Sequence, residues 1–238
     1  MRTRPATRRQ SGFTLIEIAI VLVIVGLMIG GLIMPLSVQL EQRKVADTQK
    51  ALDEAKEALA GFALRHGYLP CPAVSAGNGL EDRADTQCRG GKRQGYLPWA
   101  TLGLAKLDSW NHLYRYSVTP EFSDSGARFN LSTPGDITIA SRDGAGKVVA
   151  ASAANDVPAL VMSHGRNGYG ASGDLGQLVA DVSPSNPDER VNQSNPRIFF
   201  NRGASDNGAA PGGEFDDIVG WVSANILANR MVAARRLP

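Results

Sequence analysis

Residues 13–34 form an apolar run of 22 residues broken by a single charged side chain, Glu17. As a helix, such a run rises about 33 Å at 1.5 Å per residue, which matches a hydrocarbon core of about 30 Å. The run therefore predicts a membrane-spanning helix at the start of the chain. A carboxylate within a span costs roughly 2.5–3.5 kcal/mol on insertion scales, so by default Glu17 marks a function. Ahead of the run lies a short leader with Arg2, Arg4, Arg8 and Arg9 and no acid. That charge should hold the N-terminus in the cytoplasm and send the rest of the chain outward.

Three readings compete for this segment. A secretory signal has a basic start and an apolar core, but small residues at a cleavage site should follow the core. Pro35-Leu36-Ser37-Val38 follows here, with no A-x-A. A plain single-pass anchor fits the length and leaves Glu17 unexplained. The third reading rests on Ser11-Gly12-Phe13-Thr14-Leu15-Ile16-Glu17 and the run behind it. This stretch resembles the start of a type IV prepilin or a type II secretion pseudopilin. The resemblance implies that an inner-membrane prepilin peptidase cuts between Gly12 and Phe13 and methylates the new Phe13 amine. It also makes Glu17 the acid at the fifth position of the mature chain.

The physics of Glu17 agrees with that resemblance. A lone carboxylate and a lone ammonium in lipid are each costly unless paired. When subunits pack side by side, Glu17 of one meets the Phe13 amine of its neighbour. The pair then sets axial stagger, as a buried polar group sets register in a coiled coil.

The leader holds four of the 25 lysines and arginines and none of the 23 acids, so removing it takes the formal charge from +2 to about −2. That balance gives no bulk attraction to nucleic acid. Arg230, Arg235 and Arg236 read as a solvated helix end. Cys71 and Cys88 both fall on the exported side, where an oxidising compartment favours a disulfide. No histidine has the spacing to complete a metal site with them.

Residues 36–66 are rich in Ala, Leu, Gln, Glu and Lys, with no glycine before Gly61, so the helix should continue as an amphipathic stalk. Leu52, Ala55, Leu59, Phe62 and Ala63 recur on one face, and Gly67 followed by Pro70 should end it. Gly30, Gly31 and Pro35 should kink or locally melt it. Pilins carry such a helix, half in the membrane and half packed under a β-sheet head.

From Tyr68 the composition shifts to turn residues between short apolar runs. Strands are expected at 113–118, 128–131, 137–140, 147–151, 159–163, 198–201 and 217–222. Asp143-Gly144-Ala145-Gly146 reads as a hairpin loop, and Ser223 caps a last helix over 224–234. Residues 180–195, polar and proline-broken, read as a surface loop. The phrases YLPCPA, GYLPWATLGL and VMSHGRNGYGA resemble blocks in bacterial prepilin-like proteins larger than major pilins. Asp108-Ser109-Trp110-Asn111-His112-Leu113-Tyr114-Arg115-Tyr116 resembles the start of the sheet in major pseudopilins, which usually have glycine where Asn111 stands.

Other constellations carry less. Gly168-Tyr169-Gly170-Ala171-Ser172-Gly173 fits G-x-G-x-x-G, with Asp188 and Glu189 near a ribose-binding distance, but no helix signal follows it. Ser163 and His164 are neighbours on a strand and point to opposite faces, so they cannot form a dyad. Asp206, Glu214, Asp216 and Asp217 are an acidic cluster without EF-hand spacing. Major pseudopilins bind calcium in a C-terminal loop, so the resemblance gives calcium a place here, although no cofactor is otherwise implied.

The expected fold class is α+β, a long N-terminal helix packed against an antiparallel β-sheet head. Its expected parts are a cleaved leader (1–12), a transmembrane and filament-core half-helix (13–35), a stalk (36–67) and a β-rich head with a short C-terminal helix (68–238). The expected role is a non-enzymatic structural subunit of a type IV pilus or type II secretion pseudopilus, its size favouring a minor one. It would be held single-pass in the bacterial inner membrane with a periplasmic head, then packed with other pilins or pseudopilins. The rivals are a filament-borne adhesin or DNA-binding pilin and, more remotely, a membrane-anchored periplasmic enzyme.

Overall fold

The high helix propensity of the first third of the chain is realised as α1, Leu15–His66. The computed structural model describes residues 13–153, 156–180, 185–195 and 197–237, apart from the side chains of 29–35. The helix α1 continues without interruption past Gly30, Gly31 and Pro35, so the local melting expected there is not found. A proline forfeits one i→i−4 hydrogen bond, and the rest of the ladder is retained. Gly67, at φ +83°, ends the helix as expected, its N–H donating to the Ala63 carbonyl at 2.7 Å.

The chain divides into two compact units at Arg43 and Lys44. In the second, α1 is followed by a two-residue hairpin of β1 (Arg83–Ala84) and β2 (Gln87–Cys88), then β3 (Gln94–Tyr96), α2 (Trp99–Leu102), β4 (Arg115–Val118) and α3 (Pro120–Ser123). Next come β5 (Thr138–Arg142), β6 (Val148–Ala150), β7 (Ala159–Ser163), α4 (Pro187–Ser194), β8 (Ile198–Phe200), β9 (Ile218–Val222) and α5 (Ala224–Ala233). An antiparallel sheet has the order β3-β4-β7-β9, and a smaller one has the order β6-β5-β8, with β5 and β8 parallel.

The architecture is α+β and layered. Leu52, Ala55, Leu59, Ala60 and Ala63 of α1 pack with Leu227 and Met231 of α5 against Tyr116, Val118, Ala159, Val161 and Val222 on one face of the larger sheet. On its other face, Leu160, Met162 and Val219 meet Ile137, Ile139, Val157 and Phe199. Covered on both sides, β7 is buried at all five positions, which is why it reads as an unbroken apolar run. Arg230 of α5 reaches Glu57 of α1 through two hydrogen bonds, 2.6 and 2.9 Å, so this arginine is engaged within the head. Cys71 and Cys88 are joined in a disulfide. A loop of this size is worth about 3 kcal/mol in the chain-entropy account.

Two further expectations fail. Residues 128–131 are not a strand: Asn130 turns the chain, its carboxamide accepting from Ser132 N–H at 2.8 Å, and only Phe129 is anchored, stacked on Phe122. Residues 187–194, expected within a surface loop, are the helix α4. Pro187 occupies its first turn, where a missing N–H costs nothing, and Asp188, Glu189 and Asn192 are its buried face. Polarity hid this helix because its inward side chains are themselves polar.

The turn before β4 explains one departure from the pseudopilin pattern. Asn111 has φ +65°, a left-handed conformation that glycine adopts freely and asparagine tolerates. Asp108 holds the turn, its Oδ1 accepting from the backbone of Trp110 (2.9 Å) and His112 (2.8 Å). Asn111→Gly should leave the urea midpoint unchanged or raised, whereas Asn111→Val should cost about 1–2 kcal/mol. Equal stability of the two variants would contradict this account.

Candidate functional site

Thr14 stands immediately before α1 and caps it. The Glu17 N–H donates to Thr14 Oγ1 at 3.3 Å, while the Thr14 N–H and hydroxyl each donate to Glu17 Oε2 at 2.8 Å. This reciprocal arrangement is a capping box, which satisfies N–H groups that helix geometry leaves without partners. Reasoning from the charge of Glu17 alone misses this local role, although T-x-x-E ahead of an apolar run is its signal. Every described side chain from Phe13 to Met28 is exposed, Phe13 at 85% and Leu15 at 89%. A helix surface this apolar needs lipid or other protein against it.

A second concentration of chemistry lies between α4 and the start of β9. Glu189, Asp216 and Asp217 each offer one carboxylate oxygen, all within 4.8 Å of one another. Glu189 accepts from Asn167 Nδ2 (3.0 Å to each oxygen), the Asp216 N–H (2.7 Å) and Asn186 Nδ2. Asp216 Oδ2 accepts from the Asn167 N–H at 2.8 Å, and Asp217 Oδ2 from Asn192 Nδ2 at 2.7 Å. Asp216 Oδ1 and Asp217 Oδ1 are buried without a hydrogen-bond partner. Burial, reinforced by the charge of Asp217, raises the Glu189 carboxyl above the usual range. Burial, then the charges of Glu189 and Asp217, push Asp216 up to about 7.

Of the four acids singled out in the sequence, the structure thus brings together Asp216 and Asp217, with Glu189 as the third member. Asp206 pairs instead with Arg166 at 3.0 Å on the surface, and Glu214 lies outside the group. The donors are all oxygens, and two of those oxygens lack a partner, a set that suits a hard cation such as calcium. Asp188, a neighbour of Glu189, is spent on Arg142 and Arg202.

Ser163 and His164 turn to different acids. The Ser163 hydroxyl donates to Asp108 Oδ2 at 2.5 Å, and His164 Nδ1 lies 3.5 Å from Asp217 Oδ1. Gly168 and Gly170, at φ +66° and +75°, shape a loop that opens no helix.

Residues 7–33 match the family described as "Prokaryotic N-terminal methylation motif". The chain carries a prepilin-type N-terminal methylation motif. No curated protein and no solved structure matches it. The matched stretch takes in the leader end, Gly12, Phe13 and Glu17, and it supports a type IV pilin or pseudopilin subunit. Gly12 and the leader arginines lie outside the described residues. Among the described residues no helix is long and apolar enough to cross a membrane. The described side chains of the run end at Met28, short of its end in the sequence at Met34.

The acid cluster has a defined pH signature. Unfolded, Asp216 titrates near 3.8, and folded, near 7. Between those values the native state keeps a proton that the unfolded chain has lost, so stability falls as pH rises through the window. In chelator, the thermal midpoint should drop between about pH 4 and pH 7. Asp216→Asn, which keeps the acceptor for Asn167, should flatten that drop, and an unchanged slope would refute the assignment.

Proposed function

We propose that the chain is a minor structural subunit of a type IV pilus or type II secretion pseudopilus. Its precursor is cut between Gly12 and Phe13 by prepilin peptidase, and the Phe13 amine is methylated. It waits in the bacterial inner membrane on its own helix, with the head in the periplasm. It then joins other pilins or pseudopilins through the 13–35 half of α1. The observation that carries this reading is the methylation motif over residues 7–33, lying on a helix whose apolar side chains are exposed from Phe13 onward. A head of about 170 residues, larger than a typical major subunit's, supports the minor role.

Assembly rests on Glu17 meeting a neighbour's Phe13 amine, and the capping box makes this separable from a merely local role. Glutamine at the third helical position can still complete a capping box but carries no charge. Glu17→Gln should therefore be inserted and cleaved yet fail to enter filaments, as Glu17→Ala and Glu17→Val should. Sheared-filament fractions, blotted against the processed protein, provide the measurement. Incorporation of Glu17→Gln at the wild-type level would leave only the cap and defeat the pairing.

The head's acid cluster supports a calcium site formed by Asp216, Asp217 and Glu189. A cation there would compensate the carboxylate of Asp216, which burial and its acidic neighbours otherwise push up to about 7. At pH 8, millimolar calcium should raise the thermal midpoint of the wild-type protein and leave that of Asp217→Asn unmoved. An unmoved wild-type midpoint would remove calcium from the account.

A further inference from the structure

The larger sheet shows an asymmetry that the assembly role does not explain. On the face opposite α1, β7 and β9 present Leu160, Met162 and Val219 to an apolar layer. On the same face β3 and β4 present Gln94, Tyr96 and Arg115, since Tyr96 pairs with Arg115 in register. These side chains are not simply solvated. With His164, Gln193 of α4 and Leu178 they line a cleft of about 340 Å³.

Arg115 is mostly buried there. Its Nη2 donates to the Gln193 carbonyl, and its Nε is buried without an acceptor. Gln94 Nε2, on the adjoining strand, is likewise a buried donor without an acceptor. No carboxylate forms an ion pair with Arg115 among the described residues, and burial lowers it from its ordinary value in spite of a distant attraction from Asp217. Asp217 itself is engaged by Asn192 Nδ2 and faces His164. Tyr96, whose hydroxyl donates to Ser172 Oγ at 3.1 Å, closes one wall. A buried guanidinium without an anion is costly, and two N–H groups without acceptors, on side chains that line one cleft, ask for the same kind of partner, a pair of acceptor oxygens.

We infer that this cleft is a carboxylate-binding site, with Arg115 Nε and Gln94 Nε2 donating to the ligand's oxygens. Arginine's planar fork suits a carboxylate. Leu178, largely exposed at the cleft's edge, offers an apolar surface to whatever the carboxylate is attached to. The carboxylate belongs to a free small acid or to the C-terminus of a polypeptide, since the donors read the end group alone.

The test uses the full chain in detergent micelles, with N-acetyl-leucine, a hexapeptide ending in leucine, and the amidated form of each. Each is titrated while the Arg115 Nε–H resonance is followed, and affinity is measured in parallel by calorimetry. One or both acids should give a saturable shift, with the amides at least about tenfold weaker, since they lose the charge-assisted hydrogen bonds. Tighter binding of the hexapeptide assigns the site to a chain terminus, and equal binding assigns it to the small acid. Gln94→Leu, at a side chain with no hydrogen bond to lose, should weaken binding about tenfold without unfolding the head. Arg115→Lys should weaken it at least as much. The inference is overturned if no acid saturates by about 20 mM, if amides bind as well as acids, or if Gln94→Leu binds like the wild type.

Discussion

One helix face organises the head. Leu52, Ala55, Leu59 and Ala63 are almost fully inaccessible, packed with α5 against the strand pair β4–β7. Small alanines between leucines let the helix approach the sheet closely, so the aromatic rings of Tyr114 and Tyr116 can fill the same layer. Truncating any of the leucines would open a void in the one layer shared by helix and sheet. The second sheet and α4 are then placed by what β7 and β9 show on their other side.

Much of this was legible in the residues. Apolar spacing at three and four marked the buried stripe of α1, and Gly67 marked its end. β7 and the helix after Ser223 lie where runs and caps predicted, Ser223 Oγ accepting from the Ile226 N–H. What escaped is polar. β3 is Gln-Gly-Tyr, with no alternation to detect, and it exists because β4 offers it a ladder. α4 hides behind two prolines and a face of Asp188, Glu189 and Asn192 that tertiary partners make affordable. In the opposite sense, 128–131 looked extended, but Asn130 supplies its own turn.

The same division holds for the sites. Glu17 stood out because an acid in an apolar run is conspicuous at any distance along the chain. Asp216 and Asp217 could be noticed as a local cluster, but Glu189 lies 27 residues before Asp216 and arrives only through the folding of α4. Arg115 and Gln94 carry no motif at all, and their meaning comes from strand register.

The capping box at the start of α1 has a further consequence. An acid whose oxygen already serves two donors of Thr14 is not idle before assembly. In the assembly role proposed above, docking beside a neighbour would be an exchange of partners rather than the rescue of a stranded charge. Its driving force would then be a difference between two satisfied states, so that the subunit could dwell alone before assembly.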